Sequence, residues 1–122
     1  MIVITRQDLS AGYQASMLLH AGIEFIFKFP FLSYLWHKRS NYVALLSVPD
    51  ESSLLKLIDK LKFNKVRHSI FCEPDIDNQL VSVAVEPSDK ARNICAGLPL
   101  ALKEFSSSNG INKSTYKQKQ LI

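Results

Sequence analysis

The order of apolar segments in the first half of the chain sets the strongest limit on its fold. Residues 2–5 form an apolar, β-branched run that is typical of a buried strand, and residues 11–27 then have the pattern of a helix. Pro30 is expected to end or kink this helix, residues 31–37 can form another short helix, and residues 42–48 are a second apolar run. Strands separated by helices need a crossover connection, so we expect the first two strands to be parallel.

The second half of the chain predicts a helix, a hairpin and a last helix. Residues 66–72 and 80–85 have the pattern of strands, and the short acidic turn between them predicts an antiparallel hairpin. Asp50 and Ser88 are each placed to cap the helix that follows. We therefore predict an α/β domain, a three-layer sandwich in which a four-stranded mixed sheet is covered by helices on both faces.

The distribution of charge separates a folded body from a basic tail. The chain has 122 residues and a net charge of +4, and residues 106–122 carry three lysines and no acid. Residues 1–105, with 12 bases and 11 acids, are long and apolar enough for a single folded domain, whereas residues 106–122 are expected to be disordered. Because the body is almost neutral, the net charge alone does not indicate nucleic-acid binding.

The two cysteines and the apolar segments indicate the cellular compartment of the protein. Cys72 and Cys95 lie in apolar surroundings without metal-ligand spacing, so two thiols in a reducing compartment are expected, and one disulfide is the alternative. The first residues lack a basic segment before an apolar core, and charges interrupt the most apolar stretch, residues 21–36. We therefore predict a cytoplasmic protein without a signal peptide or a membrane span.

The first candidate site is the start of the first helix. Ser10 can cap this helix, and Gly12 gives a ligand access to the free backbone N–H groups of its first turn, which attract anions. Tyr13, Met17 and His20 share one face of the helix. In one interpretation Met17 and His20 pack against the sheet, and in the other His20 faces a cleft.

The second candidate is Glu73, which directly follows the predicted third strand. A carboxylate at a strand end can act as a general base or orient a water molecule, and a solvated acidic turn is the alternative. Asp75 and Asp77 follow without the glycine and later glutamate of a calcium loop, so no metal is expected. Without GxGxxG or a Walker lysine, no nucleotide cofactor is expected either.

Basic and aromatic side chains are candidates for contact with nucleic acid. The basic cluster near the second long helix consists of Lys56, Lys60, Lys62, Lys65 and Arg67. It is the best phosphate-facing patch in the body, and a solvated helix back is the alternative. Half of the aromatic residues lie within residues 25–36, where burial or self-association is the alternative to base stacking.

Several of these motifs together resemble the type-2 peptidyl-tRNA hydrolases. The similar segments are Arg6-x-Asp8-Leu9, a turn ending at Gly12, a helix ending in His20-Ala21, Glu73-Pro-Asp after the third strand, and Ser82-Val-Ala-Val-Glu-Pro87. They extend over residues 1–105, and Asp-Leu-x-x-Gly-Tyr-Gln-Ala resembles a divergent branch of the family that lacks the Lys-Gly-Lys form.

The resemblance implies an enzyme that hydrolyses the ester between a peptide, or an N-blocked aminoacyl group, and the 3′ ribose of tRNA. It implies no metal or cofactor, tRNA as the partner, and a homodimer as an option. His20 matches the helix histidine of the family, and Glu73 stands where the family has a catalytic Asp. Arg6 and Asp8 match the turn after the first strand.

We therefore predict a peptidyl-tRNA hydrolase in which water attacks the ester, activated by Glu73 with His20 assisting, and Asp8 is a third catalytic residue. The predicted substrate-binding residues are Arg6, Gly12, Tyr13, Gln14, Lys56, Lys60 and Lys62. Tyr13 and Met17 stand in place of a lysine and a glutamine of the family. The alternative is therefore a catalytically silent module on the same fold that binds tRNA or a protein.

Overall fold

The computed structural model describes residues 1–103, which form an α/β unit with four strands and four α-helices. The elements in chain order are β1 (Ile2–Arg6), α1 (Ala11–Lys28), α2 (Pro30–Lys38), β2 (Ala44–Val48), α3 (Glu51–Phe63), β3 (His68–Glu73), β4 (Gln79–Val85) and α4 (Asp89–Cys95). The predicted fold class is confirmed. The predicted tail, residues 106–122, lies outside the described residues, as do the last two residues of the predicted domain.

The sheet is mixed, as predicted, and its strand order is β2-β1-β4-β3. β1 and β2 are parallel, whereas β4 is antiparallel to both β1 and β3. β3 therefore runs in the same direction as β1 and β2, and these three strands end together at Arg6, Val48 and Glu73. We call this side of the sheet the carboxyl edge.

Apolar side chains pack on both faces of the sheet. Ile2 and Ile4 of β1 belong to the core beneath α3 and α4, whereas Val3 belongs to the core beneath α1. Leu54 of α3 and Phe25 of α1 are fully buried in these two cores. Because alternate residues of a strand point to opposite faces, the apolar run of β1 supplies both cores, and the domain has three layers.

Side chains cap three helices at the predicted positions. The three caps are Ser10 Oγ, which accepts a hydrogen bond from Tyr13 N at 3.4 Å, Asp50 Oδ1, which accepts from Ser53 N at 2.9 Å, and Ser88 Oγ, which accepts from Ala91 N at 3.1 Å. These bonds satisfy backbone donors that have no partner within a helix, and they stabilise the starts of α1, α3 and α4.

Pro30 separates α1 from α2, as predicted. α1 ends at Lys28 and α2 begins at Pro30, with an angle of 109° between the two helices. Proline has no backbone N–H to continue the first helix, but it fits the first turn of a new one. Within residues 1–103 no single helix has the length and apolar character needed to cross a membrane, and α1 and α2 meet those limits only as this bent pair.

Several strand boundaries differ from the predicted ones by one or two residues. β1 ends at Arg6, β3 begins at His68 and β4 begins at Gln79, where the sequence predicted 5, 66 and 80. β2 begins two residues later than predicted, at Ala44, which pairs with Ile2, the first residue of β1. β3 ends one residue later than predicted, because Glu73 pairs with Gln79 and extends the hairpin. The predicted hairpin of β3 and β4 is confirmed. Both cysteines are free thiols, the first of the two alternatives.

Candidate active site at the carboxyl edge

Glu73 is the last residue of β3 and is buried, with 8% of its surface exposed. Its Oε1 accepts a hydrogen bond from Asp75 N at 3.3 Å, at the start of the short 3₁₀ turn Pro74–Ile76. Residues 1–103 make no other side-chain hydrogen bond to this carboxylate. A buried carboxylate held by one donor keeps acceptor sites that can take a proton or orient a water molecule.

Tyr13, in the first turn of α1, lies close to the acidic end of β3. Burial raises the pKa of its phenol, and the negative charges of Glu73 and Asp75 raise this pKa further. Contacts along the two elements give the geometry: Lys28 Nζ, at the end of α1, donates to His68 O, at the start of β3, at 3.3 Å, and His20 stacks on Phe71, so α1 runs antiparallel to β3 and its first turn lies towards the end of β3 that carries Glu73. The start of α1 and the buried carboxylate of β3 are therefore brought together.

The first turn of α1 has two backbone donors without a partner among the described residues. Ser10 accepts from Gln14 N through its carbonyl and from Tyr13 N through its hydroxyl, so the N–H groups of Ala11 and Gly12 stay free. Both residues are exposed. These free donors lie at the positive end of the helix dipole, where negative charge is favoured.

Gly12 is not needed for packing. A Cβ placed at this residue would meet no atom within 4 Å, and Gly12 does not have a positive φ. We expect Gly12→Ala to raise the free energy of unfolding by about 0.5–1 kcal/mol, because alanine is more favourable than glycine in a helix. Urea unfolding followed by circular dichroism measures this change. A clear loss of stability would contradict the open space around the residue.

His20 is exposed on α1, and its ring stacks on Phe71 of β3. The ring centroids are 4.4 Å apart and the two planes differ by 5°. Met17, on the same face of α1, is buried, as the packing interpretation expects, whereas His20 is exposed and has one face of its ring on Phe71. Phe71 lies two residues before Glu73, about 6.7 Å along the strand. The imidazole therefore lies on the same face of the sheet as the carboxylate.

Arg6 has the largest set of hydrogen bonds at the carboxyl edge. It is 6% exposed, and its Nε and Nη2 donate to the two carboxylate oxygens of Asp8 at 2.9 and 2.8 Å. Nη1 donates to Gln79 Oε1 at 2.9 Å and to Leu80 O at 3.1 Å. Both oxygens of Asp8 are therefore engaged, and the pair joins the loop after β1 to β4. Neither oxygen of Asp8 is without a donor from Arg6.

The pairing of Asp8 predicts part of the acid sensitivity of the fold. The hydrogen bonds with Arg6 hold the pKa of Asp8 below its usual value of about 3.9 in the folded protein. Its contribution to stability is therefore complete above the unfolded pKa and is lost as the pH falls through the lower, folded pKa.

We expect Asp8→Asn to make the unfolding free energy fall less steeply as the pH drops below about 4. Chemical unfolding at a series of pH values measures the slope. Asp59→Asn is the matched control, because Asp59 lies exposed on α3 and forms no ion pair within residues 1–103. Equal slopes for Asp8→Asn and the unchanged protein would contradict the prediction.

The sheet places the predicted site residues in two groups. The register of β3 against β4 shifts between Phe71 and Cys72, but Phe71 packs in the core beneath α1 and Cys72 in the core beneath α3, so the alternation along β3 is kept and Glu73 follows on the α1 side. The first group, on the α1 face, is therefore Tyr13, His20 and Glu73. Arg6 alternates with Ile4, which belongs to the core beneath α3. Arg6 and Asp8 therefore form the second group, which supports the carboxyl edge from the α3 side.

Gln14, a predicted substrate-binding residue, has a structural role. It is buried, its Nε2 donates to Leu9 O at 2.8 Å, and its Oε1 accepts from Leu102 N at 3.1 Å. The amide therefore joins α1 to the loop after β1 and to the segment after α4. Both polar atoms of this buried side chain are thus engaged within the protein.

The predicted phosphate-binding lysines are exposed on α3, on the other side of the sheet from His20. Asp50 caps α3 just after β2 ends at the carboxyl edge, and Lys56 lies about two turns later on the same helix. Hydrogen bonds with Ser53 lower the pKa of Asp50, and the positive charge of Lys56 lowers this pKa further. Lys60 lies near Cys95, where burial raises the thiol pKa to about 11 and Lys60 acts in the opposite direction. With a rise of about 1.5 Å per residue, the lysines extend away from the carboxyl edge.

Three residues of the site were not predicted. Phe71 is the platform for His20, Gln79 accepts from Arg6, and Glu51 Oε2 accepts from Leu80 N at 2.9 Å. The hairpin pattern contained a signal for Gln79, because a short turn places the first residue of β4 opposite the last residue of β3. The contacts of Phe71 and Glu51 depend on how α1 and α3 pack, and their spacing in the sequence carries no signal for this.

Within residues 1–103, no group of three or more His, Cys, Asp or Glu side chains is arranged to hold a metal ion. The chemistry of the carboxyl edge therefore has to be argued from its carboxylate, imidazole, phenol and backbone donors. Comparison of the sequence with models of known protein families and with curated proteins gives no match.

Proposed function

We propose that this protein hydrolyses the ester between a peptide, or an N-blocked aminoacyl group, and the 3′ ribose of tRNA. The observation that carries the proposal is the buried carboxylate of Glu73 next to the start of α1, with the exposed ring of His20 on the same face. Ester hydrolysis needs a base for water and donors for the oxygen that becomes negative, and this edge has both.

Glu73 is the proposed general base. Its Oε1 accepts from Asp75 N, which fixes the carboxylate, and its remaining acceptor sites can take a proton from the attacking water. The free N–H groups of Ala11 and Gly12 are the proposed donors to the ester oxygen as it becomes an oxyanion. The reaction uses no cofactor or metal in this proposal.

His20 is the proposed assisting group. The stack on Phe71 limits the orientation of the imidazole, and the exposed nitrogens of His20 form no side-chain hydrogen bond within residues 1–103. An imidazole in this position can donate to the ribose oxygen that leaves. No hydrogen bond joins His20 to Glu73 in the described part of the chain, so we propose that the substrate lies between them.

The proposed partner is tRNA, and translation in the cytoplasm is the setting that this substrate implies. Lys56 is the predicted lysine placed nearest the carboxyl edge, so it is the best candidate for a phosphate contact. Lys60 and Lys62 would contact phosphates further along the tRNA. A homodimer is compatible with the proposal, but the site is composed of residues from one chain.

A second candidate function is a catalytically silent module that binds tRNA or a protein. The observation in its favour concerns the positively charged groups near Glu73. Tyr13, which stands in place of a lysine, has no positive charge, and the Arg6 guanidinium already donates to Asp8, Gln79 and Leu80. Neither Tyr13 nor Arg6 therefore offers a free cation to the oxyanion, which leaves its stabilisation to the backbone donors of α1.

A single-turnover assay separates the two candidates. The purified protein, in excess over a labelled N-acetyl-aminoacyl-tRNA, should release the labelled acid faster than buffer does. Binding of tRNA, measured over a series of salt concentrations, should weaken as salt rises, because phosphate contacts release counterions. Salt-dependent binding without release would support the silent module, and neither release nor binding would contradict both tRNA proposals.

A further inference from the structure

A large apolar cavity lies at the end of the sheet opposite the carboxyl edge. Its volume is about 640 Å³, and it is bounded by α2, α4 and the first residues of β1 and β2. Leu32, Leu35 and Trp36 of α2 form one wall, and Ala44 and Leu46 of β2 form another. The volume is within the range of about 300–1,000 Å³ that is usual for small-molecule sites.

The charged residues that line this cavity are both cations. Arg39, at the end of α2, and Arg92, on α4, are exposed at its rim, and no acidic residue lines it. Arg92 forms an ion pair with Asp89, one turn earlier on α4, and Arg39 forms none within residues 1–103. An apolar cavity with two guanidinium groups at its mouth is complementary to a ligand with an apolar chain and an anionic head.

We propose that this cavity binds an aliphatic carboxylate. The alkyl chain would pack against Leu32, Leu35 and Leu46, and the carboxylate would accept hydrogen bonds from Arg39 and Arg92. A second copy of the chain is a poorer occupant, because a two-fold contact through this face would bring the same arginines of both copies together.

Trp36 gives a direct measurement, because it is the only tryptophan of the chain and it lines the cavity. Its indole Nε1 donates to Tyr42 O at 2.8 Å, so a ligand that displaces water or shifts this contact changes its fluorescence. Titration of the full-length protein with dodecanoate, below the concentration at which micelles form, should give a saturable change with a stoichiometry of one to one. Dodecanol and dodecyltrimethylammonium should bind at least about tenfold more weakly.

Substitutions at the rim test the charge recognition. We expect Arg39→Ala and Arg92→Ala each to weaken dodecanoate binding by about tenfold, whereas Lys38→Ala, which removes a neighbouring charge that does not line the cavity, should leave it unchanged. Val43→Phe, which fills part of the cavity, should also weaken binding in a protein with an unchanged circular dichroism spectrum.

Four results would overturn the proposal, and the first three concern dodecanoate binding. They are the absence of a saturable fluorescence change, equal affinity for the three amphiphiles, and unchanged affinity in both arginine variants. The fourth result is a fluorescence change that depends on protein concentration and not on dodecanoate, together with sedimentation of the protein as a dimer. It would make this face a contact between two copies of the chain. Glu73→Gln should bind dodecanoate normally, so this test is independent of the proposed hydrolase activity.

Discussion

Glu73→Gln is expected to lower the single-turnover rate of ester hydrolysis by about 10²- to 10⁴-fold, the usual contribution of general acid–base catalysis. Glutamine keeps the size of the side chain, and its carbonyl oxygen can still accept from Asp75 N, as Glu73 Oε1 does at 3.3 Å. It cannot take a proton from water. The fold should therefore be kept while the rate falls.

The measurement is the release of labelled acid from N-acetyl-aminoacyl-tRNA under single-turnover conditions, with circular dichroism as the check on folding. Asp75→Asn is the matched control. It removes a negative charge from the same turn, but Asp75 is exposed, and within residues 1–103 only its backbone N–H, which the substitution keeps, bonds to Glu73. We expect the rate of this control to stay close to that of the unchanged protein.

The comparison with tRNA binding decides what the result means. If both Glu73→Gln and Asp75→Asn hydrolyse the ester at the full rate, Glu73 is not the base, even though the protein is an esterase. If Glu73→Gln loses hydrolysis but binds tRNA with unchanged salt dependence, the carboxylate acts in the chemical step and not in the recognition of phosphate.

The fold was predictable from the sequence because its main features depend on local signals. The β-branched run of β1 and the helix after it require a crossover, whatever the packing is. Ser10, Asp50 and Ser88 define helix starts with their own side chains, and Pro30 defines a break through its ring. Each of these signals acts within a few residues.

The candidate site was less predictable, because its geometry depends on the register of the sheet. The sequence places Glu73 after β3, but its burial follows from pairing with Gln79 on the next strand. Arg6 on β1 and Glu73 on β3 point to different faces of the sheet. This difference depends on the register of two strands that are far apart in the sequence. Local patterns indicate which residues are near the edge and do not indicate which of them face each other.

Gln14 shows the same limit at a single residue. In the sequence it follows Gly12 and Tyr13 and resembles part of a ligand-binding turn. In the structure it is buried, because Leu102, far away in the chain, donates to its side chain at 3.1 Å. A contact over such a sequence distance has no signature in spacing or composition. The position of Lys62 also depends on the tertiary structure. Lys62 lies on α3, which covers the face of the sheet opposite α1.

Arg6→Met is expected to have the largest effect on stability among the variants considered, a loss of about 2–3 kcal/mol in the free energy of unfolding. The substitution removes four hydrogen bonds at 2.8–3.1 Å that join three segments at the carboxyl edge. It leaves Leu80 O and the Asp8 carboxylate without their donor. Asp8 is 44% exposed and can be hydrated, which keeps the loss below that of a fully buried pair.

Arg67→Met is the control that distinguishes this buried cluster from an ordinary surface ion pair. The Arg67 side chain is 59% exposed, and its Nε lies 3.6 Å from Glu86 Oε1. Pairs of this kind contribute between about 0 and 1 kcal/mol, so the loss should be small. Urea unfolding of both variants at neutral pH measures the difference. If Arg6→Met costs no more than Arg67→Met, the guanidinium does not hold the carboxyl edge together. In that case Arg6 and Asp8 are available to a substrate, and the division of the site between support on the α3 side and chemistry on the α1 side has to be abandoned.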